Sequence, residues 1–193
     1  MRFSTTTSDA PPCEDVGVLW SMAFNRVGVV VSDIYFVDPN PLPGQEGAER
    51  GVRLELREFE RDELVGSIYS SVPIRVARPL WRVDLLEAVS SPPGSLDRAH
   101  HHPRLHDWNP GRRVFVEELS KDPVGWLRGR FAAIEEVLDQ AEAGPVDHYD
   151  VEALRAAGPT VVAVVEQLLK DVAEGRAGLA PAETGDSVRS SWL

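Results

Sequence analysis

The sequence is poor in several features that would assign it to a class directly. It contains one cysteine, Cys13, which excludes a disulfide framework and a cysteine-based zinc finger. It has no apolar run near the roughly 18 residues of a membrane-spanning helix. The start of the chain, residues 1–12, is polar and lacks the apolar stretch of a signal peptide. We therefore expect a cytoplasmic protein with no membrane segment.

Lysine is scarce as well, because only Lys121 and Lys170 are present and nearly all positive charge comes from arginine. The formal net charge of −11 is unevenly distributed: −5 over residues 1–49, +2 over residues 50–115 and −8 over residues 116–193. The acidic flanks argue against extended nucleic-acid binding, which requires a basic field. The weakly basic middle block can still hold a single phosphate or carboxylate, since arginine suits bidentate contacts with such groups.

The pattern of apolar residues predicts an α+β fold, with an antiparallel sheet of about six strands followed by two or three helices packed on it. Apolar and polar residues alternate in the first part of the chain, and the loops between the alternating runs are short. The predicted strands lie near residues 16–24, 27–37, 52–57, 68–76, 80–89 and 114–116. Residues 38–51 contain three prolines and three glycines and are predicted to form a loop.

After residue 120 the apolar period becomes helical. Leu127, Phe131, Ile134 and Leu138 share one face of a predicted helix that ends at Gly144-Pro145. A short helix through Ala157 is predicted to break at Gly158-Pro159, and a third helix ends at Gly175.

The domain organisation follows from these patterns. We predict a flexible leader at 1–14 and one domain at 15–175, with the sheet in 15–119 and the helices in 120–175. Residues 176–193 are predicted to form a disordered tail.

One segment, Asp97-Arg98-Ala99-His100-His101-His102-Pro103-Arg104-Leu105-His106, stands out for its chemistry. If residues 100–102 are extended, His100 and His102 project to the same face, because side chains alternate along a strand. His106 can return to that face after the bend at Pro103. Three imidazoles, or two with Asp97 or Asp107, would provide ligands for a divalent transition metal such as zinc.

Two other interpretations use the same atoms. In a site without metal, His100 and His102 would exchange protons with a substrate while Arg98 binds its anionic group. In a purely structural segment, the histidines would order a loop and Asp97 would cap the turn after Gly94. The residue pattern leaves these alternatives open. Asp84, which lies among Arg82 and Glu87, is a candidate inward carboxylate, but its strand pattern favours a solvated position.

The order of these motifs resembles known families. A strand containing Trp81-Arg82-Val83-Asp84, followed by a turn and Asp97-x-Ala99-x-His101-His102-Pro103, is similar to TumE-type toxins of toxin–antitoxin systems. It also resembles an uncharacterised family of bacterial domains with an Asp-Arg-Ala-His-His-His-Pro motif. The resemblance covers about residues 52–119 and implies a small α+β domain with its site at the His-His-Pro segment.

A second resemblance is partial. Gly94, five intervening residues and His100-x-His102 resemble the first half of the cupin metal motif. No second histidine-bearing strand follows, so a cupin is not expected.

The leading functional hypothesis is a histidine-centred hydrolase that acts on a phosphodiester. Its catalytic residues would be His100, His102 and Arg98, and its metal ligands would be His100, His102, His106 and Asp97. The alternative is a non-catalytic module that binds a protein partner through its acidic helices, with Glu135, Glu136 and Asp139 as the contact residues. The sequence does not indicate the oligomeric state.

Overall fold

The computed structural model of the chain describes residues 17–181. The predicted leader at 1–14 and most of the predicted tail lie outside these residues. Within the described part, five strands form one antiparallel sheet in the order β1-β2-β3-β4-β5, so that each strand pairs with its neighbour in the chain. The strands are β1 (Leu19–Ala23), β2 (Val27–Val37), β3 (Ala48–Arg61), β4 (Ile74–Ala88) and β5 (His100–His102).

Four helices follow the sheet in the described residues, which confirms the α+β class. They are α1 (Glu117–Lys121), α2 (Pro123–Ala132), α3 (Ile134–Gln140) and α4 (His148–Ala173). None of them combines the length and the apolar character needed to cross a bilayer. The core lies between α2–α4 and one face of the sheet, where Trp81, Val83 and Leu85 of β4 are buried with apolar residues of the helices.

The strand count is one lower than predicted. The runs predicted as separate strands at 68–76 and 80–89 form the single strand β4, and β5 lies at His100–His102, where no strand was predicted.

The bounds differ at three further places. Residues 68–73 form a turn, and β4 begins only at Ile74. Residues 114–116 do not form a strand, because Val114 alone pairs with His101. The predicted loop at 38–51 ends early, since β3 begins at Ala48 and pairs there with Val37.

The helical region has four helices where two or three were predicted. The single helix predicted through Leu127 and Leu138 is divided at Ala133 into α2 and α3, and α4 continues through Pro159 without the predicted break.

Proline inside a helix removes one backbone hydrogen bond and costs about 3 kcal/mol. Leu154 and Val161, on either side of the Gly158-Pro159 pair, are completely buried, and Gly158 packs against Phe131 of α2. Tertiary packing therefore outweighs the local penalty.

Gly51 allows β3 to lie close to β4. A Cβ atom at this position would overlap the carbonyl oxygen of Leu85 and lie 3.0 Å from the Leu86 Cα. We expect Gly51→Ala to lower the free energy of unfolding by about 3 kcal/mol, because two backbone segments must separate. Urea denaturation followed by circular dichroism measures the change.

The matched control for this substitution is Gly129→Ala in α2, where the added Cβ meets no atom within 4 Å. Alanine is the better helix former, so this variant should be unchanged or slightly more stable. Equal losses in both variants would contradict the proposed backbone contact.

Candidate metal centre

The candidate site lies on the face of the sheet opposite the helices, which we call the polar face. It is formed by Arg53 and Glu55 of β3, Arg82 and Asp84 of β4, and His100 and His102 of β5. The strand register brings these residues into two cross-strand rows: Arg53, Asp84 and His100 in one, and Glu55, Arg82 and His102 in the other. Because side chains alternate along a strand, the residues between them face the core.

Strand β5 brings both histidines to the polar face, as the sequence predicted. Its three residues pair antiparallel with β4, so that His100 lies opposite Asp84 and His102 opposite Arg82. His100 and His102 are 1% and 3% exposed, and their ring centroids are 5.0 Å apart. Phe115 packs against His100 at 5.5 Å between centroids and is itself half exposed.

Asp84 is the centre of the cluster, and the expectation that it would be solvated is wrong. Its carboxylate is 2% exposed. Oδ2 lies 3.4 Å from Nε2 of His100 and 3.5 Å from Nε2 of His102, while Oδ1 accepts a hydrogen bond from Nε of Arg53 at 2.7 Å. The burial comes from cross-strand pairing with Arg53 and from the histidines of β5, neither of which is visible in β4 alone.

The charge of Asp84 is fixed by its neighbours. Burial on its own raises the pKa of this carboxyl group. The positive charge of Arg53 and the hydrogen bonds from His100 and His102 outweigh that effect and hold the pKa well below its usual range. Asp84 is therefore a carboxylate at neutral pH. Arg53 donates from Nε to Oδ1 at 2.7 Å and from Nη2 to Oδ2 at 3.4 Å, and Oδ2 also faces the two imidazoles.

The tautomer of His100 follows from the hydrogen bond that its Nδ1 atom makes. Nδ1 lies 2.7 Å from the backbone carbonyl oxygen of Arg98, and a carbonyl can only accept, so Nδ1 carries a proton. Nε2 of a neutral His100 then directs a lone pair at a carboxylate oxygen. A cation bound between these two atoms, which are 3.4 Å apart, would be stabilised by both lone pairs.

The three atoms fit a metal ion in spacing and in type. Zinc binds histidine nitrogen and carboxylate oxygen at about 2.0–2.2 Å, so two ligands at a tetrahedral angle lie about 3.4 Å apart. Nε2 of each histidine lies at about that separation from Oδ2 of Asp84, one ligand atom of each of the three residues lies within 4.8 Å of the others, and all three residues are buried. The bond from His100 to the Arg98 carbonyl is the kind of outer contact that orients a ligating imidazole.

His101 faces the opposite layer and does not belong to the cluster. Its ring lies edge-on to Trp126, 5.3 Å between centroids, and Trp126 stacks on Trp81. Burial, followed by the positive charge of Arg130, lowers the pKa of His101 to about 4. His101 is therefore a neutral residue of the helix–sheet interface at physiological pH.

The structure places the other predicted ligands elsewhere. Asp97 accepts hydrogen bonds from the Ala88 N–H and from Ser91 and Ser95, and so caps the turn between β4 and β5. His106 is exposed and forms a tight turn with Asn109.

Arg98 contributes its backbone carbonyl to His100, whereas its side chain donates to the carbonyl of Gly44. Among the described residues, the converging ligand atoms belong to Asp84, His100 and His102. The side chains of Arg98, Asp97 and His106 are not part of this set.

Sequence reasoning missed Asp84 and Arg53 as site residues, although a signal was present. Arg53 and Glu55 alternate with apolar residues in β3, and Arg82 and Asp84 do so in β4. Antiparallel pairing of these two strands places opposite charges side by side in both rows. Charge complementarity between neighbouring alternating strands thus predicts the register that buries Asp84.

Comparison with models of protein families, with curated proteins and with solved structures finds no match to this chain. The site is therefore interpreted from its own geometry. The fold and the site define an α+β protein with a buried Asp–His–His cluster that could hold a metal ion.

Proposed function

We propose that the protein is a metal-dependent hydrolase whose centre is Asp84, His100 and His102. The observation that supports this most directly is the convergence of two Nε2 atoms on Oδ2 of a buried carboxylate. Two histidines and one carboxylate are a ligand set used by catalytic zinc sites, which keep a further position for water. A divalent ion held there would lower the pKa of that water and supply the nucleophile for hydrolysis.

The residues around the ligands have separate roles in this proposal. Arg53 donates to both carboxylate oxygens of Asp84, with the shorter hydrogen bond to Oδ1, and would orient the group so that Oδ2 faces the ion. The Arg98 carbonyl fixes the His100 ring with Nε2 available. Phe115 is half exposed and packs against His100, so a substrate at the centre would contact its ring.

Charge supports a phosphodiester as the substrate class. Residues 50–115 carry eleven arginines and nine acids, although the chain as a whole has a net charge of −11. Nine of the eleven arginines lie in ion pairs with carboxylates, so this stretch is the part of the chain in which an anionic substrate would meet the least repulsion. The resemblance of residues 52–119 to TumE-type toxins is consistent with this substrate class and remains part of the proposal.

Metal binding is tested with protein purified without an affinity tag. We expect one zinc or cobalt ion per chain after equilibrium dialysis, and a visible cobalt spectrum of four- or five-coordinate type. Metal content below about a tenth of an equivalent, without rebinding, would exclude the centre.

The reaction class is tested separately with bis(p-nitrophenyl) phosphate. Hydrolysis should stop on chelation and return with added metal. Metal binding without any hydrolysis of this or a natural phosphodiester would leave the centre in place and refute the hydrolase.

The alternative hypothesis, in which the acidic helices bind a protein partner, provides the control for the hydrolase experiments. Glu135, Glu136 and Asp139 are exposed on α3, far along the chain from the centre. Their replacement by glutamine and asparagine should leave metal content and hydrolysis unchanged. A biological activity that depends on these acids and tolerates loss of both histidines would favour the binding module.

A further inference from the structure

The hairpin of β3 and β4 extends past the rest of the sheet. Pairing of β2 with β3 ends at Glu58, and β5 pairs only with Arg82–Asp84. Residues 60–78, which we call the arm, consist of the two strand ends and the turn between them. Within the arm, Glu60 pairs with Arg75 and Arg61 pairs with Ile74, and among residues 17–181 neither strand end pairs with a third strand.

The arm is unusually apolar for an exposed segment. Of the fifteen large apolar side chains that are exposed in residues 17–181, seven lie in it, which marks a surface suited to contact with another molecule. Val65, Ile68 and Tyr69 at its tip are 77%, 84% and 91% exposed. Residues 64–74 contain no charged side chain.

The outer edge of β4 at Ile74–Val76 has no strand beside it in the described part of the chain. An unpaired edge carries N–H and C=O groups that can pair with a further strand. In a two-fold symmetric dimer, such an edge lies antiparallel to the same edge of the second copy. One short segment then supplies hydrogen-bond partners for the backbone groups of both molecules. Ile74 and Val76, both exposed and on the same face of β4, would then meet their counterparts.

Charge identifies which occupant fits. The arm holds three arginines and three acids and is neutral, whereas the chain as a whole is strongly acidic. A basic partner would be attracted to the acidic flanks rather than to this segment, and an anionic lipid surface would require excess positive charge. A second neutral arm meets no repulsion here and keeps the acidic remainder of both chains apart.

We propose that the arm is a self-association surface, through which two copies of the chain pair the outer edges of β4 in antiparallel orientation, so that the apolar tip of each arm packs against the base of the other copy's arm. The inference does not depend on the metal centre. The arm is smaller than a standard protein interface, so we expect a reversible dimer with a dissociation constant in the micromolar range.

Sedimentation velocity between about 1 and 100 μM protein tests the proposal, with a shift from monomer to dimer as the expected result. The double variant Ile68→Glu/Tyr69→Glu should weaken association about 100-fold, because charged side chains replace the apolar contact. The matched control is Leu42→Glu/Tyr149→Glu, which adds the same charge at two exposed apolar positions outside the arm and should dimerise as the wild type does. Circular dichroism establishes that both variants are folded.

Two further measurements make the test decisive. Amide hydrogen exchange of residues 74–78 should be slower at the higher protein concentration, because edge amides become hydrogen-bonded. A chain that stays monomeric, or a dimer that the arm variant leaves intact, would overturn the proposal. Arm-dependent flotation of a monomeric chain with phosphatidylcholine vesicles would overturn it in favour of a lipid surface.

Discussion

Replacement of Asp84 by alanine is expected to lower the free energy of unfolding by about 3–5 kcal/mol, the cost of breaking a buried ion pair. Asp84 is the partner of Arg53 and of both histidines on the polar face. Without it, a guanidinium group that is largely shielded from water loses its counter-ion, and the imidazoles lose their acceptor. Urea denaturation in the presence of a chelator measures this loss independently of bound metal.

An exposed pair of the same type provides the comparison. Asp62 and Arg75 form an ion pair near the base of the arm turn, and both side chains are open to solvent. Exposed pairs contribute little because water and salt screen them. Asp62→Ala should therefore leave the urea midpoint unchanged. If Asp84→Ala were as mild as Asp62→Ala, Asp84 would not organise the site.

The second large effect concerns metal affinity. His100→Gln and His102→Gln are each expected to weaken zinc binding by about 100-fold or more, since even outer contacts of a metal site contribute 10- to 100-fold. Glutamine keeps similar bulk and polarity in the strand, so the sheet should persist. Competition with a chromophoric chelator gives the affinities, and circular dichroism reports the fold.

His106→Gln and Asp97→Asn are the controls for that experiment. Both residues were candidate ligands by sequence, and the structure places one in an exposed turn and the other on the Ala88 N–H. Their substitution should leave zinc affinity within about twofold of the wild-type value, as expected for residues outside the coordination set. A loss as large as that of the strand histidines would mean that the ion binds a different set of ligands.

The sequence predicted what depends on local periodicity. Alternation places His100 and His102 on one face once residues 100–102 are extended, although no strand was predicted there, and the change from a two-residue to a helical period located the boundary between sheet and helices. The sequence did not predict which residue of another strand lies opposite the histidines. That depends on the register of β5 against β4, which places His100 opposite Asp84.

The two remaining differences have different origins. Asp97 has suitable chemistry for a metal ligand, but the turn after β4 offers it an N–H and two hydroxyl groups, and it binds those instead. Pro159 has the local signature of a helix end, yet the core on either side keeps α4 continuous. The competing contacts are therefore local for Asp97 and tertiary for Pro159.

The consecutive strand order has a consequence for how the site assembles during folding. Arg53 and Asp84 are 31 residues apart in the chain, and Asp84 is 16 residues from His100, so two successive hairpins bring the three together. Docking of α4 onto the β1–β2 turn, by contrast, joins Asp150 to Asn25 across 125 residues. Loop closure costs more entropy as the loop lengthens. The ligand cluster can thus form early, from the chain segment 48–102, before the helical layer closes over the other face of the sheet.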